Sequence, residues 1–222
     1  MIARTSSIIG LGGGVRIDEA VKQAEQCVAA HPNNGGCHLA LGKALGSKAI
    51  AVGIMASLGS AGTIRDSFKK AVELNPNDFE ARFSLLEYYI MAPFVVGGGA
   101  GKAEAFAKQS ASFNPEGGKL MMATIDLHGD NLARAESATL AGKPGADHTL
   151  VRRHESLLAS IGAAYVNGKK LADAGRVVRE AQKKYPDNPD LMYVMARVHQ
   201  EQGQHRDALA GSDACRPSSP VS

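Results

Sequence analysis

The segment Val96-Gly97-Gly98-Gly99-Ala100-Gly101-Lys102-Ala103 sets a lysine behind a run of glycines, an arrangement that can cradle a phosphate. A phosphate loop also needs glycine five positions before Gly101, and serine or threonine after the lysine to reach Mg2+. Those positions hold Val96 and Ala103, and the preceding pattern is helical where a strand is required. The glycines are expected instead to turn the chain sharply after Pro93, with Ala100 or Gly101 opening the next helix. The histidines pair as His31/His38, His148/His154 and His199/His205, seven, six and six residues apart. Two ligands on one helix face need a spacing of three or four. No Ser-His-Asp or Cys-His arrangement is indicated. The chain is therefore read as a non-enzyme without metal or cofactor.

Cys27, Cys37 and Cys215 are an odd number without a CxxC pair, in a chain long enough to build its own core. Cys27 and Cys37 flank the His31–Pro32 turn, so a bridge is one reading; buried or idle thiols is the reading the count favours. A net charge of +3 from 25 basic and 22 acidic residues is too small and too evenly spread for a nucleic-acid footprint. Basic clusters such as Lys69–Lys70 and Lys183–Lys184 read as solvated helix faces. Nothing approaches the ~20 apolar residues of a membrane helix, so no membrane insertion is expected. The first residues make a poor signal peptide. A cytoplasmic location is expected if this is the full chain, and a periplasmic one is open if a leader was removed.

Such residues could act only if helices position them. Aromatics are few, there is no tryptophan, and Ala, Leu, Gly and Met are plentiful, which suits helices packed through small side chains. Four short tags recur: Cys27-Val-Ala-Ala-His-Pro32, Ala71-Val-Glu-Leu-Asn-Pro76, Ser110-Ala-Ser-Phe-Asn-Pro115 and Ala181-Gln-Lys-Lys-Tyr-Pro186. Each closes a helical apolar pattern, and the proline is expected to stop the helix. The prolines are 44, 39 and 71 residues apart, which is one, one and two periods of 34 with insertions.

The residues between the tags resemble the tetratricopeptide repeat (TPR), in which a helix A and a helix B carry W-x2-L-G-x2-Y and A-x3-F motifs. The copy from Glu155 to Asn188 fits without insertion: Leu158, Ile161, Gly162 and Tyr165, then Ala174, Val178, Ala181 and Pro186. A second has His38, Leu41, Gly42 and Leu45, then Ile64, Phe68 and Ala71 after about ten inserted residues. A third has Arg82, Leu85, Leu86 and Tyr89, then Ala103, Ala107 and Ser110. The chain opens in a lone helix B (Ala20, Ala24, Cys27) and closes in a partial copy (Met192, Met195, Ala196, His199, Gly203, Ala208). A weaker repeat covers Gly118–Leu140, where His128-Gly-Asp130 turns into a helix near Asn131–Ala141 and Gly142–Asp147 breaks the chain. The run Phe68–Leu86, followed by Tyr88-Tyr-Ile-Met-Ala-Pro-Phe-Val-Val-Gly-Gly-Gly99, is similar to a group of bacterial TPR proteins. It is similar more distantly to the TPR-like domain of the regulator of microtubule dynamics family.

The resemblance implies an all-α fold, a TPR-like right-handed superhelix of antiparallel helix pairs, over residues 15–211. Residues 1–14 are expected to be a flexible start and 212–222 a disordered tail. The expected function is a scaffold that holds a protein or peptide in the concave groove, which helix A lines at its second, fifth, ninth and twelfth positions. These are Leu39 and Lys43; Glu80, Phe83, Glu87 and Ile90; Ala159 and Ala163; Asp190, Tyr193 and Arg197. They mix apolar anchors with both charge signs and lack the basic set that would clamp a C-terminal carboxylate. Met91, Met121, Met122, Met192 and Met195 read first as core filler, and a second reading places some of them on an adaptable binding surface. Two other readings remain: assembly with further copies into a homo-oligomer through the edge of the unpaired first helix, and a small-molecule or hydrolytic site in the insertion at 46–63.

Overall fold

A computed structural model describes residues 13–53 and 58–204. The helices are α1 (Gly13–Ala30), α2 (Gly35–Val52), α3 (Leu58–Leu74), α4 (Phe79–Met91), α5 (Ala100–Ser110), α6 (Pro115–His128), α7 (Leu132–Leu140), α8 (His148–Asn167), α9 (Leu171–Lys184) and α10 (Pro189–Glu201). A 3-10 turn, Phe94–Val96, lies between α4 and α5. The helices sort into two compact units that divide between Phe113 and Asn114. Parts of the sequence reading (the start before Gly13, Ala208, Cys215 and the tail) lie outside the described residues.

Every helix A opens on a side-chain cap. Asn34, Asp78, Asn114, Asp147 and Asn188 precede α2, α4, α6, α8 and α10, and each accepts hydrogen bonds from N–H groups of the following turn. Each such cap is worth about 1 kcal/mol. The helices B α5, α7 and α9 begin without one. Pro32, Pro76 and Pro186 stand two residues ahead of the caps at Asn34, Asp78 and Asn188, as the tags require. The third tag departs from expectation: α5 ends at Ser110, Asn114 is itself the cap, and Pro115 opens α6 rather than stopping α5. Proline fits the first helical position because its missing N–H has no partner to lose there.

The pairs close on the expected small residues. In unit 1, Gly42 of α2 faces Phe68 of α3, and a Cβ on Gly42 would stand 2.5 Å from the Phe68 Cε1. In unit 2, a Cβ on Gly162 of α8 would stand 2.9 Å from Val178 Cγ2 on α9 and 3.1 Å from Val194 Cγ1 on α10. Ala71, Ala103, Ala107, Ala174 and Ala181, the small slots of helix B, are all fully buried. Within each unit the helices A also pack on one another, α2 on α4, α6 on α8 and α8 on α10. Pairs closed by these slots and stacked A on A are TPR-like, and each unit is an all-α, solenoid-type stack of such pairs.

Two insertions resolve into local structure. The extra residues after Gly46 lengthen both helices of the first pair, carrying α2 to Val52 and letting α3 begin at Leu58. In the second, Gly97 and Gly99 have φ of +93° and +122°, and a Cβ on Gly98 would fall 1.8 Å from the Ala92 carbonyl oxygen. The triple glycine is thus a tight turn, and Ala100 opens α5.

Candidate functional site

In unit 1 the expected surface residues fall on α2 and α4. Lys43 Nζ donates to Glu80 Oε1 at 2.5 Å and ties the two helices A together. Leu39, Glu87 and Ile90 are half-buried on the same helices. Phe83 is a correction: it is 1% exposed and part of the core, so it cannot serve as a groove anchor. The reason is the surroundings of α4, which is packed by α2, α3 and α5 and buries eight of its residues, Phe79, Ala81–Leu86 and Tyr88. Helices on three sides bury even its polar Arg82 and Ser84, a crowding that the run Phe79–Leu86, with Glu80, Arg82 and Ser84 in it, does not announce.

Arg82 is also buried, at 1% exposure, and among the described residues no carboxylate pairs with it. Its Nε donates to the Pro76 carbonyl at 2.6 Å and its Nη1 to Ser110 Oγ at 2.9 Å. The Phe113 ring lies 3.9 Å from the guanidinium carbon. The cation therefore sits where α3 and α5 end, and the negative ends of two helix dipoles favour it. Burial lowers its pKa from the ordinary value. His38 occupies the equivalent slot one repeat earlier, and its Nε2 lies 2.7 Å from the Pro32 carbonyl oxygen. The two side chains lock the Pro turns that enter α2 and α4, a structural duty.

In unit 2 the helices A are α6, α8 and α10. Ala159 is buried and Ala163 half-buried, so their contribution to a surface is a shallow floor. On α10 Tyr193 is 61% exposed, an unusual position for a large ring, with Asp190 exposed one turn before it. Arg197, one turn later, is held by a bond from Nη2 to Asn167 Oδ1 at 3.1 Å, which fixes it against the end of α8.

Behind this face lies a polar network that sequence reasoning missed. Glu136 of α7, 8% exposed, accepts from Tyr165 Oη at 2.6 Å and from both terminal nitrogens of Arg176. The Arg176 bond, then desolvation partly opposing it, leaves the Glu136 carboxyl below its ordinary pKa. Burial, then the carboxylate, pushes the Tyr165 hydroxyl up to about 12. His154, 1% exposed, places Nε2 2.7 Å from the Thr139 carbonyl oxygen and Nδ1 3.0 Å from Tyr185 Oη. Burial is the main cause lowering its pKa, so the ring is neutral, donating from Nε2 and accepting at Nδ1. Glu136 and Arg176 are 40 residues apart on different helices, a pairing no local pattern shows.

The second correction concerns the thiols. Cys27 and Cys37 form a disulfide with Cα atoms 5.4 Å apart, joining α1 to α2 across the Pro32 turn. The signal was the repeat itself: in the next copy these slots are Ala71 and Ala81, both buried at 1% or less. Among the described residues, no group of three or more His, Cys, Asp and Glu gathers as a metal site, and no helix is long and apolar enough to cross a membrane.

No protein-family model and no curated protein matches the chain. Among solved structures it is similar to YrrB, described as a TPR protein with an unusual peptide-binding site, at 11% identity and a TM-score of 0.40, over 88% of this chain and 92% of that one. It is also similar to the APC/C hetero-tetramer Cut9–Hcn1, at 13% identity and a TM-score of 0.35, over 90% of this chain and 45% of that one. The packed slots, Gly42 against Phe68 and Gly162 against Val178, are what make the fold TPR-like.

Proposed function

We propose that this chain is a protein-interaction scaffold and that the helix-A face of unit 2 holds a peptide segment of another protein. The observation that carries the reading is Tyr193, an exposed ring at the fifth position of a helix A, flanked by Asp190 and the fixed Arg197. An amphipathic ring with few rotamers gives much contact area at low entropy cost, and aromatic and arginine residues dominate binding hot spots. Half-exposed Met192 and Met195 on the same helix add apolar area that adapts to its occupant. Unit 1 offers a second face of the same kind, with Leu39, Glu87, Ile90 and the Lys43–Glu80 pair; because that pair is already closed, its charges steer a ligand less.

The test is peptide selection from a displayed random library on the full chain, followed by affinity measurement of the enriched peptides. Tyr193→Ala and Arg197→Ala should each weaken binding by about tenfold or more, as loss of a hot-spot residue does. Enriched peptides that bind both variants like wild type would place the binding surface elsewhere. A library that enriches nothing would oppose a peptide-holding role.

A further inference from the structure

α1 is held lightly. Like α5, which packs on α4 alone, it packs on one described helix, α2, and among its residues from Arg16 on only Val21 and Ala24 are buried. By contrast α3 buries Ala61, Ile64, Ser67, Phe68 and Ala71 between α2 and α4. An ion pair from α1 to α2, Asp18 with Lys48 at 2.7 Å, joins two half-exposed side chains, a class of contact that contributes little. The Cys27–Cys37 bond is the covalent tether across the turn. It stands where the next repeat relies on the packing of Ala71 and Ala81.

We propose that the Cys27–Cys37 disulfide is a redox-released fastener: oxidised, it holds α1 on α2, and reduced, it lets α1 detach and uncovers the α2 surface beneath Val21 and Ala24. A helix packed on its neighbour keeps that neighbour's apolar face from water, so the bond controls whether that face stays covered. The two sulfurs differ in access. Cys37 is 1% exposed, whereas Cys27 is half-buried. Release therefore begins at Cys27, by exchange with a small-molecule thiol such as glutathione. The external thiolate attacks Cys27 Sγ, the Cys27–Cys37 bond breaks, and its electron pair leaves on Cys37 Sγ, which takes up a proton. A second external thiolate attacks the sulfur of the first, the bond from that sulfur to Cys27 breaks, and its electron pair leaves on Cys27 Sγ, which is protonated in turn. Two protein sulfurs are reduced, and two external thiols are oxidised to one small-molecule disulfide. Oxidation of the chain by that disulfide is the same sequence reversed.

The experiment uses the full chain, oxidised by dissolved oxygen in buffer free of small-molecule thiols and disulfides, which leaves Cys215 uncapped. Alkylation in denaturant without reductant should add one group, at Cys215, and after reduction it should add three. Amide hydrogen exchange of the native protein is then compared before and after reduction, and for the Cys27→Ser/Cys37→Ser variant. Loss of a cross-link spanning ten residues should speed exchange across Gly13–Ala30 by about 10- to 100-fold. Exchange in α8–α10 should stay unchanged. Three alkylated cysteines without reductant would overturn the proposal by removing the bond. A single alkylated cysteine with unchanged α1 exchange in both the reduced protein and the variant would overturn it by showing that α1 stays docked without the bond.

Discussion

Gly42 and Phe68 are fitted so closely that a single methyl group between them has no room: a Cβ at position 42 would lie 2.5 Å from the ring. The same relation joins Gly162 to Val178 in the other unit. A glycine inside a helix is locally unfavourable, so its presence in both places reflects the approach of helix B to helix A.

Substitution separates these glycines from ordinary ones. Gly162→Ala gains helix propensity but overpacks against Val178 and Val194, and should cost about 1–3 kcal/mol. Gly62→Ala on α3, where an added Cβ meets nothing within 4 Å, should stabilise by about 0.5–1 kcal/mol. Urea unfolding of both variants should show shifts of opposite sign.

Phe83 has the position of a groove residue and the surroundings of a core residue. Phe83→Ala should destabilise by about 3–5 kcal/mol, the cost of emptying a fully buried aromatic site. Its melting temperature should fall well below that of Tyr193→Ala, which removes an exposed ring and should leave stability within about 0.5 kcal/mol.

His154 gives the fold a pH dependence with a definite sign. Its folded pKa lies below the ordinary 6.5, chiefly through burial. The unfolded chain therefore binds the proton more readily, and the contribution of His154 is complete above about pH 6.5 and falls as pH drops below it. The depressed carboxyls of Glu116 and Glu136 act lower, their contributions fading as pH falls below the ordinary 4.5. Melting temperatures at about pH 7.5 and 5.5 should differ more for wild type than for His154→Gln, which cannot be charged.

Glu136 joins three helices through Tyr165 and Arg176. Glu136→Leu should cost about 1–3 kcal/mol, because the Tyr165 hydroxyl is left buried without its acceptor. If Tyr165→Phe is added, part of that loss should be recovered, and chemical denaturation of the single and double variants reads the coupling.

What could be read from the sequence was whatever a single helix or turn specifies. The Pro turns, Gly162 with its apolar frame and the sharp turn of the Gly97–Gly99 segment all depend on neighbours in the chain, and each shows in the sequence. Pro115 shows the limit, since one Asn-Pro can end a helix or begin one depending on where the previous helix frays. What escaped depends on three dimensions: the surroundings that bury Phe83, the reach of Glu136 to Arg176, and the meeting of Cys27 with Cys37 in slots that hold alanine one repeat later. Tyr193 was placed by counting repeat positions, and the lack of a described helix packed over it is what leaves the ring in solvent.

The most direct measurement is amide chemical-shift mapping of an enriched peptide on the full chain. The account predicts shifts concentrated on α10 around Asp190, Tyr193 and Arg197 and on the facing side of α8, lost in Tyr193→Ala. Shifts centred on the helices B, α7 and α9, or a pattern the Tyr193 variant leaves intact, would contradict it.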